Sequence, residues 1–233
     1  MGNDEGGPAA RAVIVRDAVT IGVATGAYGL SFGAVSIAAG LSVLQAVALS
    51  TLMFTGASQF AFVASLAGGG SAWAGAATAS LLGTRNAFYG LRLSPILPAA
   101  LHRRMLAAHL VIDETTAMAV SRDAPHEARL AFWATGFAVF SLWNLGTLIG
   151  AVGAHALSNP RTLGLDAAAP AAFVALLAPR VTSATTRAIA AACVAVALFA
   201  VPLTPAGVPV LAAAALVIAV GAFRPPAPTA AKP

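Results

Sequence analysis

Residues 18–84 read AVTIGVATGAYGLSFGAVSIAAGLSVLQAVALSTLMFTGASQFAFVASLAGGGSAWAGAATASLLGT, 67 positions without one Asp, Glu, Lys, Arg or His. A water-soluble domain needs charged outward faces, and this run supplies none. A helix that crosses a bilayer takes about 20 mostly apolar residues, so the run has room for three, joined by short loops. It ends at Arg85, followed by Asn86-Ala87-Phe88-Tyr89-Gly90, which sets a cation inside hydrophobic sequence. Insertion scales put such a charge at about 2.5–3.5 kcal/mol, so an arginine there is a candidate for function.

Composition agrees over the full 233 residues: 59% are hydrophobic and 9% charged, and the mean hydropathy is +0.85. These values exclude an ordinary soluble domain, and they leave no room for a nucleotide-binding module. The formal charge of +5 is scattered between apolar segments, which is a membrane pattern and no footprint for nucleic acid. The lone Cys193 excludes a disulfide framework or a cysteine metal site. The polar, mixed-charge start predicts no cleavable signal peptide.

Apolar segments fall near 17–38, 43–66, 71–93, 130–154, 164–179, 185–203 and 207–223. They predict an all-α, polytopic membrane protein of about seven transmembrane helices in a single transporter domain, residues 1–223, with a disordered tail at 224–233. Residues 94–129 form a cytoplasmic, amphipathic connection in which 105–120 span, re-enter or lie on the surface. Drawn with the N-terminus outside, seven spans place nine Arg and Lys residues in the cytoplasm and only Arg11, Arg16 and Arg161 outside.

Two echoes suggest an internal repeat. Gly33-Ala34-Val35-Ser36 resembles Gly150-Ala151-Val152-Gly153 at an offset of 117, and Ala61-Phe62-Val63-Ala64 resembles Ala172-Phe173-Val174-Ala175 at 111. The units, about 17–93 and 130–203, hold three spans each, so the second is expected upside down. Broken helices at corresponding depths of inverted repeats mark substrate sites in many transporters. Here the candidates are Thr55-Gly56-Ala57-Ser58-Gln59 in the second span and Asp166 to Pro170 in the fifth. Gly and Pro weaken or interrupt a helix, and a half-helix N-terminus offers N–H groups to a carboxylate.

Gly26, Gly29 and Gly33 share one face of the first span and read as a packing seam, beside which Tyr28 and Ser31 could line a cavity. Arg85 has two open roles, clamping a substrate carboxylate or pairing with Asp113 or Glu114. His109 and Asp113 stand four apart, on one helical face. That pair with Glu114 suits a proton relay, while two ligands are too few for a metal site. No cofactor is expected. Neither is enzyme activity, since no nucleophile–base pair stands near either interface. A passive channel, or a permease subunit for another small solute, is the alternative to a carrier.

Phe54–Phe60 (FTGASQF), Leu81–Leu91 (LLGTRNAFYGL), His109–Glu114 (HLVIDE), Trp143–Gly153 (WNLGTLIGAVG) and Pro170-Ala171-Ala172-Phe173 together resemble the AzlC/YgaZ family, the large subunit of branched-chain amino acid exporters. One departure is Asn86, where relatives more often carry His. The resemblance implies a multi-pass protein of the bacterial cytoplasmic membrane that exports branched-chain or other neutral amino acids on the electrochemical gradient. It also implies a small AzlD/YgaH-type membrane subunit as partner, with no role for nucleic acid. The expected substrate-binding residues are Tyr28, Ser31, Thr55, Gly56, Ser58, Gln59, Arg85, Asn86, Pro170 and Phe173, and the expected proton-coupling residues are His109, Asp113 and Glu114.

Overall fold

A computed structural model describes residues 7–97, 100–156, 174, 177–178, 181–204 and 208–222. Among these residues the chain is all-helical. The helices are α1 Pro8–Ala38, α2 Val43–Leu52, α3 Ala57–Ala67, α4 Ala72–Leu93, α5 Leu101–His109, α6 Asp113–Val120, α7 Pro125–Ala156, α8 Ala184–Ala200 and α9 Val208–Ala222. Two of them, α1 and α7, are long and apolar enough to cross a membrane by length and composition. Their outward faces carry Val19, Val23, Ile149 and Val152, all about half exposed, a surface suited to lipid tails and not to water. The expected segment 164–179 and the tail 224–233 lie largely or wholly outside the described residues.

The frame is the pair α1 and α7, and glycine makes it. A Cβ built on Gly26 would sit 3.0 Å from the Leu142 carbonyl oxygen, and one on Gly29 only 2.5 Å from that of Trp143. On Gly33 it would strike the Thr147 oxygen, and on Gly146 and Gly150 those of Gly26 and Leu30. Small residues let two backbones touch where no water-driven burial holds helices together. The packing expected for Gly26, Gly29 and Gly33 is therefore observed.

Its register carries a correction. Contacts rise together along both helices, from Gly22 against Ala138 to Gly33 against Thr147 and Ala151, so α1 and α7 run parallel. Inverted units at 17–93 and 130–203 require them to be opposed. The reason lies in residues 43–67, which do not run through the fold. Ser50 Oγ meets Thr147 Oγ1 at 3.1 Å, and Phe54 then reaches Phe140, seven positions back along α7, at 5.1 Å between ring centroids. Phe60 has climbed again to Phe32 and Trp143, at 5.3 and 6.2 Å. The helices α2 and α3 thus form a hairpin that enters and leaves at one end.

Next, α4 runs antiparallel to α3, with Gly75 against Phe62 and Gly83 near Ser58. It ends beside the start of α7, where Arg129 Nε donates to the Ile96 carbonyl at 2.9 Å. From that end α5 rises until His109 meets Phe140, 5.7 Å between rings. The return leg, α6, places Thr115 by Gly136, Met118 by Ile14 and Ala131, and Arg122 3.5 Å from Asp17. Residues 101–120 are therefore a second re-entrant hairpin, entering from the opposite end, and not one continuous helix. An inverted relation does exist, between α1 with its hairpin (8–67) and α4 with its hairpin (72–120).

The same directions correct the charge map. Arg11, Arg16, Arg92, Arg103, Arg104, Arg122 and Arg129 all gather toward the end where α1 and α7 begin. Among residues 7–156 the opposite end, formed by 39–42, 68–71 and the close of α7, has neither Arg nor Lys. Arg11 and Arg16 do not face away from the others as expected. Further along, α8 and α9 pack on each other, and α9 touches α4.

Candidate functional site

The two hairpin tips meet in the middle of the fold, and each is held by its own side chain. At the first, Gly56 has φ +63° and ψ −99°, a conformation essentially reserved for glycine. Gln59, fully buried, accepts the Gly56 N–H through Oε1 and donates Nε2 to the Leu49 carbonyl, both at 3.0 Å. At the second, the buried run Leu110-Val111-Ile112 separates α5 from α6. Thr115 Oγ1 accepts the Ile112 N–H at 3.0 Å and donates to the Leu110 carbonyl at 2.8 Å. Either clamp satisfies one backbone donor and one acceptor that the break would otherwise orphan.

Arg85 joins the tips. It sits eight residues before the end of α4, about 12 Å along the helix axis. Nη1 lies 3.2 Å from Asp113 Oδ2, and Nη2 donates to the Thr55 carbonyl at 3.3 Å. The side chains of Arg85 and Asp113 are only 28% and 26% exposed, so the pair is partly withdrawn from solvent screening.

Around this bridge lies a cavity of about 120 Å³. Its walls are Thr25 and Tyr28 of α1, Phe54 to Ala57 and Phe60 of the first hairpin, Arg85 of α4, Ile112 to Glu114 of the second hairpin, and Val139 and Trp143 of α7. Polar atoms converge on apolar walls, as ligand sites require. Two buried lining groups, Thr55 Oγ1 and the Trp143 indole N–H, have no hydrogen-bond partner among the described residues, nor does Arg85 Nε. Each is a donor for a bound acceptor. Asp113 and Glu114 occupy the first turn of α6, where the helix dipole favours anions.

Of the expected residues, Tyr28, Thr55, Gly56, Arg85, Asp113 and Glu114 line this cavity. Gln59 does not; its amide is consumed in the backbone clamp. Ser31, Ser58 and Asn86 also stand outside the lining, Ser58 buried with a hydroxyl that lacks a partner among the described residues. His109 closes α5 and packs on Phe54, 6.1 Å between rings, so it shares no helical face with Asp113. Pro170 and Phe173 lie outside the described residues. Sequence reasoning missed Thr25, Phe54, Ile112 and Val139 as walls. Trp143, an indole in the middle of α7, is a further wall. Among the described residues no group of three His, Cys, Asp or Glu is arranged to hold a metal ion.

Fold and site together define a helical membrane protein whose half-helix tips enclose a small cavity with a few polar groups among apolar walls. The family model described as AzlC protein matches residues 20–157, more than half of the chain, and the chain belongs to that family. Inner membrane protein YgaZ of Escherichia coli (strain K12) is 31% identical over 141 residues, 58% of this chain and 58% of its own length. No solved structure matches the chain.

Proposed function

We propose that this protein is a secondary transporter that carries small neutral amino acids, the branched-chain ones first, outward across the bacterial cytoplasmic membrane. The observation that carries the reading is the cavity between the tips, which is complementary to an apolar zwitterion. Arg85 Nε, the Trp143 N–H and the start of α3 suit a carboxylate. Asp113 and Glu114 suit an ammonium group, and Phe54, Phe60, Ile112 and Val139 suit an aliphatic side chain. At about 120 Å³ it approaches the roughly 150 Å³ apolar cavities that accept benzene, room for one short branched side chain.

Opposed hairpins at the middle of a bundle are discontinuous helices, the element from which transporters build alternating access. The arginine-rich end is assigned to the cytoplasm by the positive-inside rule, which puts the N-terminus there too. Membership of a family that includes an inner membrane protein supports the location, and a small AzlD-type membrane subunit is proposed as the partner. The test is efflux of labelled leucine or valine from loaded cells with and without this gene and that of the small subunit. Saturable, gene-dependent efflux is expected. Efflux unchanged by deletion refutes the reading, and flux that rises without saturation assigns a channel instead.

A further inference from the structure

A second cavity, of about 290 Å³, lies at the periphery of the described bundle between α4 and α5. It has more than twice the volume of the central one. We propose that it holds one anionic phospholipid, with the phosphate on Arg104 and an acyl chain running inward along the groove.

Small residues give the groove its shape. Ala87 and Gly90 of α4 and Ala107 and Ala108 of α5 line it, so the two helices leave a trough between them. Nothing lies within 4 Å of where a Cβ on Gly90 would stand. Val111, part of the second tip, closes the inner end, while Ser94 and Arg104 stand at the outer end. From Ala87 to Ser94 the helix rises about 10 Å, roughly two-thirds of one leaflet of a hydrocarbon core about 30 Å thick. Leu91, Leu101 and Met105 are mostly exposed and extend the apolar surface beside it.

The charge stands at the outer end. No Asp or Glu occurs from 86 to 112, a stretch that holds Arg92, Arg103 and Arg104. All three arginines are exposed, and none has an ion-pair partner among the described residues. A purely apolar occupant, such as the helix of a partner protein, would cover the Arg104 guanidinium without a counter-charge, which is costly away from water. A phospholipid brings both parts in one molecule: a phosphate that a guanidinium takes bidentately, and a chain that fills an apolar trough. Basic pockets between membrane helices at the cytoplasmic face suit such headgroups. Because Val111 ends the groove, a seated chain also buttresses the second tip from outside.

Phosphatidylglycerol carrying a diazirine on its acyl chain, added to the purified full chain in neutral detergent, tests this, with the same probe on phosphatidylcholine as reference. Light-induced adducts should map to residues 87–111, and excess phosphatidylglycerol should compete them away where phosphatidylcholine does not. Arg104→Gln should weaken that competition about fivefold. Gly90→Phe fills the trough and should abolish the adducts while the protein keeps its size-exclusion profile. Should that variant not fold, Arg104→Gln and the preference between the two lipids decide. Equal adducts from both lipids, adducts outside 87–111, or adducts that survive a folded Gly90→Phe overturn the proposal. Adducts lost when the small subunit is added assign the trough to a protein partner and overturn it as well. None of these readouts depends on amino-acid transport.

Discussion

At the first tip Gln59 ties the Gly56 N–H to the Leu49 carbonyl, and at the second Thr115 ties the Ile112 N–H to the Leu110 carbonyl. Both clamps stand at the third position of the outgoing helix, so the backbone problem has been solved twice in the same way. The groups displayed beyond the clamps differ. The first tip shows Thr55, Gly56 and Ala57, uncharged and rich in backbone donors, whereas the second shows Asp113 and Glu114. Architecture and chemistry are thus separable here: the clamps fix where the tips stand, and the residues just before Gln59 and Thr115 set the charge each tip presents.

The sharpest way to break the comparison is topological and all-or-none. In a Cys193→Ser background, Leu41→Cys and Gly70→Cys should label with an impermeant maleimide from the same side of the membrane, and Asp123→Cys only from the other. If Leu41 and Gly70 label from opposite sides, residues 43–67 cross and the first hairpin does not exist.

Next in size is Arg85→Gln, which leaves Asp113 without its cation and the tips without their bridge. Removing one partner of a buried pair costs about 3–5 kcal/mol, and a pair a quarter exposed falls below that, so initial export rates should drop about a hundredfold. A rate within threefold of wild type would return Arg85 to a purely structural role.

The clamps come third. Gln59→Leu strands a buried donor and acceptor at about 1–3 kcal/mol each, so unfolding in detergent should show a loss of roughly 2–6 kcal/mol. Thr115→Val should lose a similar amount by the same measurement, since it strands the Ile112 N–H and the Leu110 carbonyl. A Gln59→Leu protein of full stability that no longer transports would make Gln59 a ligand and not a clamp. Smallest is Gly56→Ala, about 1–3 kcal/mol from backbone strain alone. The second tip has no position of positive φ, so an alanine scan of 110–112 should report only lost packing.

Much of this was legible in the chain. The uncharged run from 18 to 84 declared a membrane protein, and Gly56 between Thr55 and Ala57 declared a break, because glycine is the residue that tolerates the required φ. The second break was not legible. Val111 and Ile112 are no helix breakers by themselves; burial against α7 and the Thr115 hydroxyl interrupt the helix there. Orientation failed for a related reason. Two helices of 10 and 11 residues, end to end in sequence, have the length and composition of one full span, and only their contacts reveal the reversal. That single miscount inverted α1 and sent Arg11 and Arg16 to the wrong face. The arginine itself stood out in the sequence with two candidate roles, and of these the structure shows the pairing with Asp113.

The glycine seam sets what can move. Where carbonyl oxygens of one helix rest against Cα atoms of the next, sliding by even one residue would drive side chains into backbone. The pair α1 and α7 is accordingly a stator. Any rocking that opens the cavity falls to the two hairpins and α4, whose Arg85 ties the two tips together.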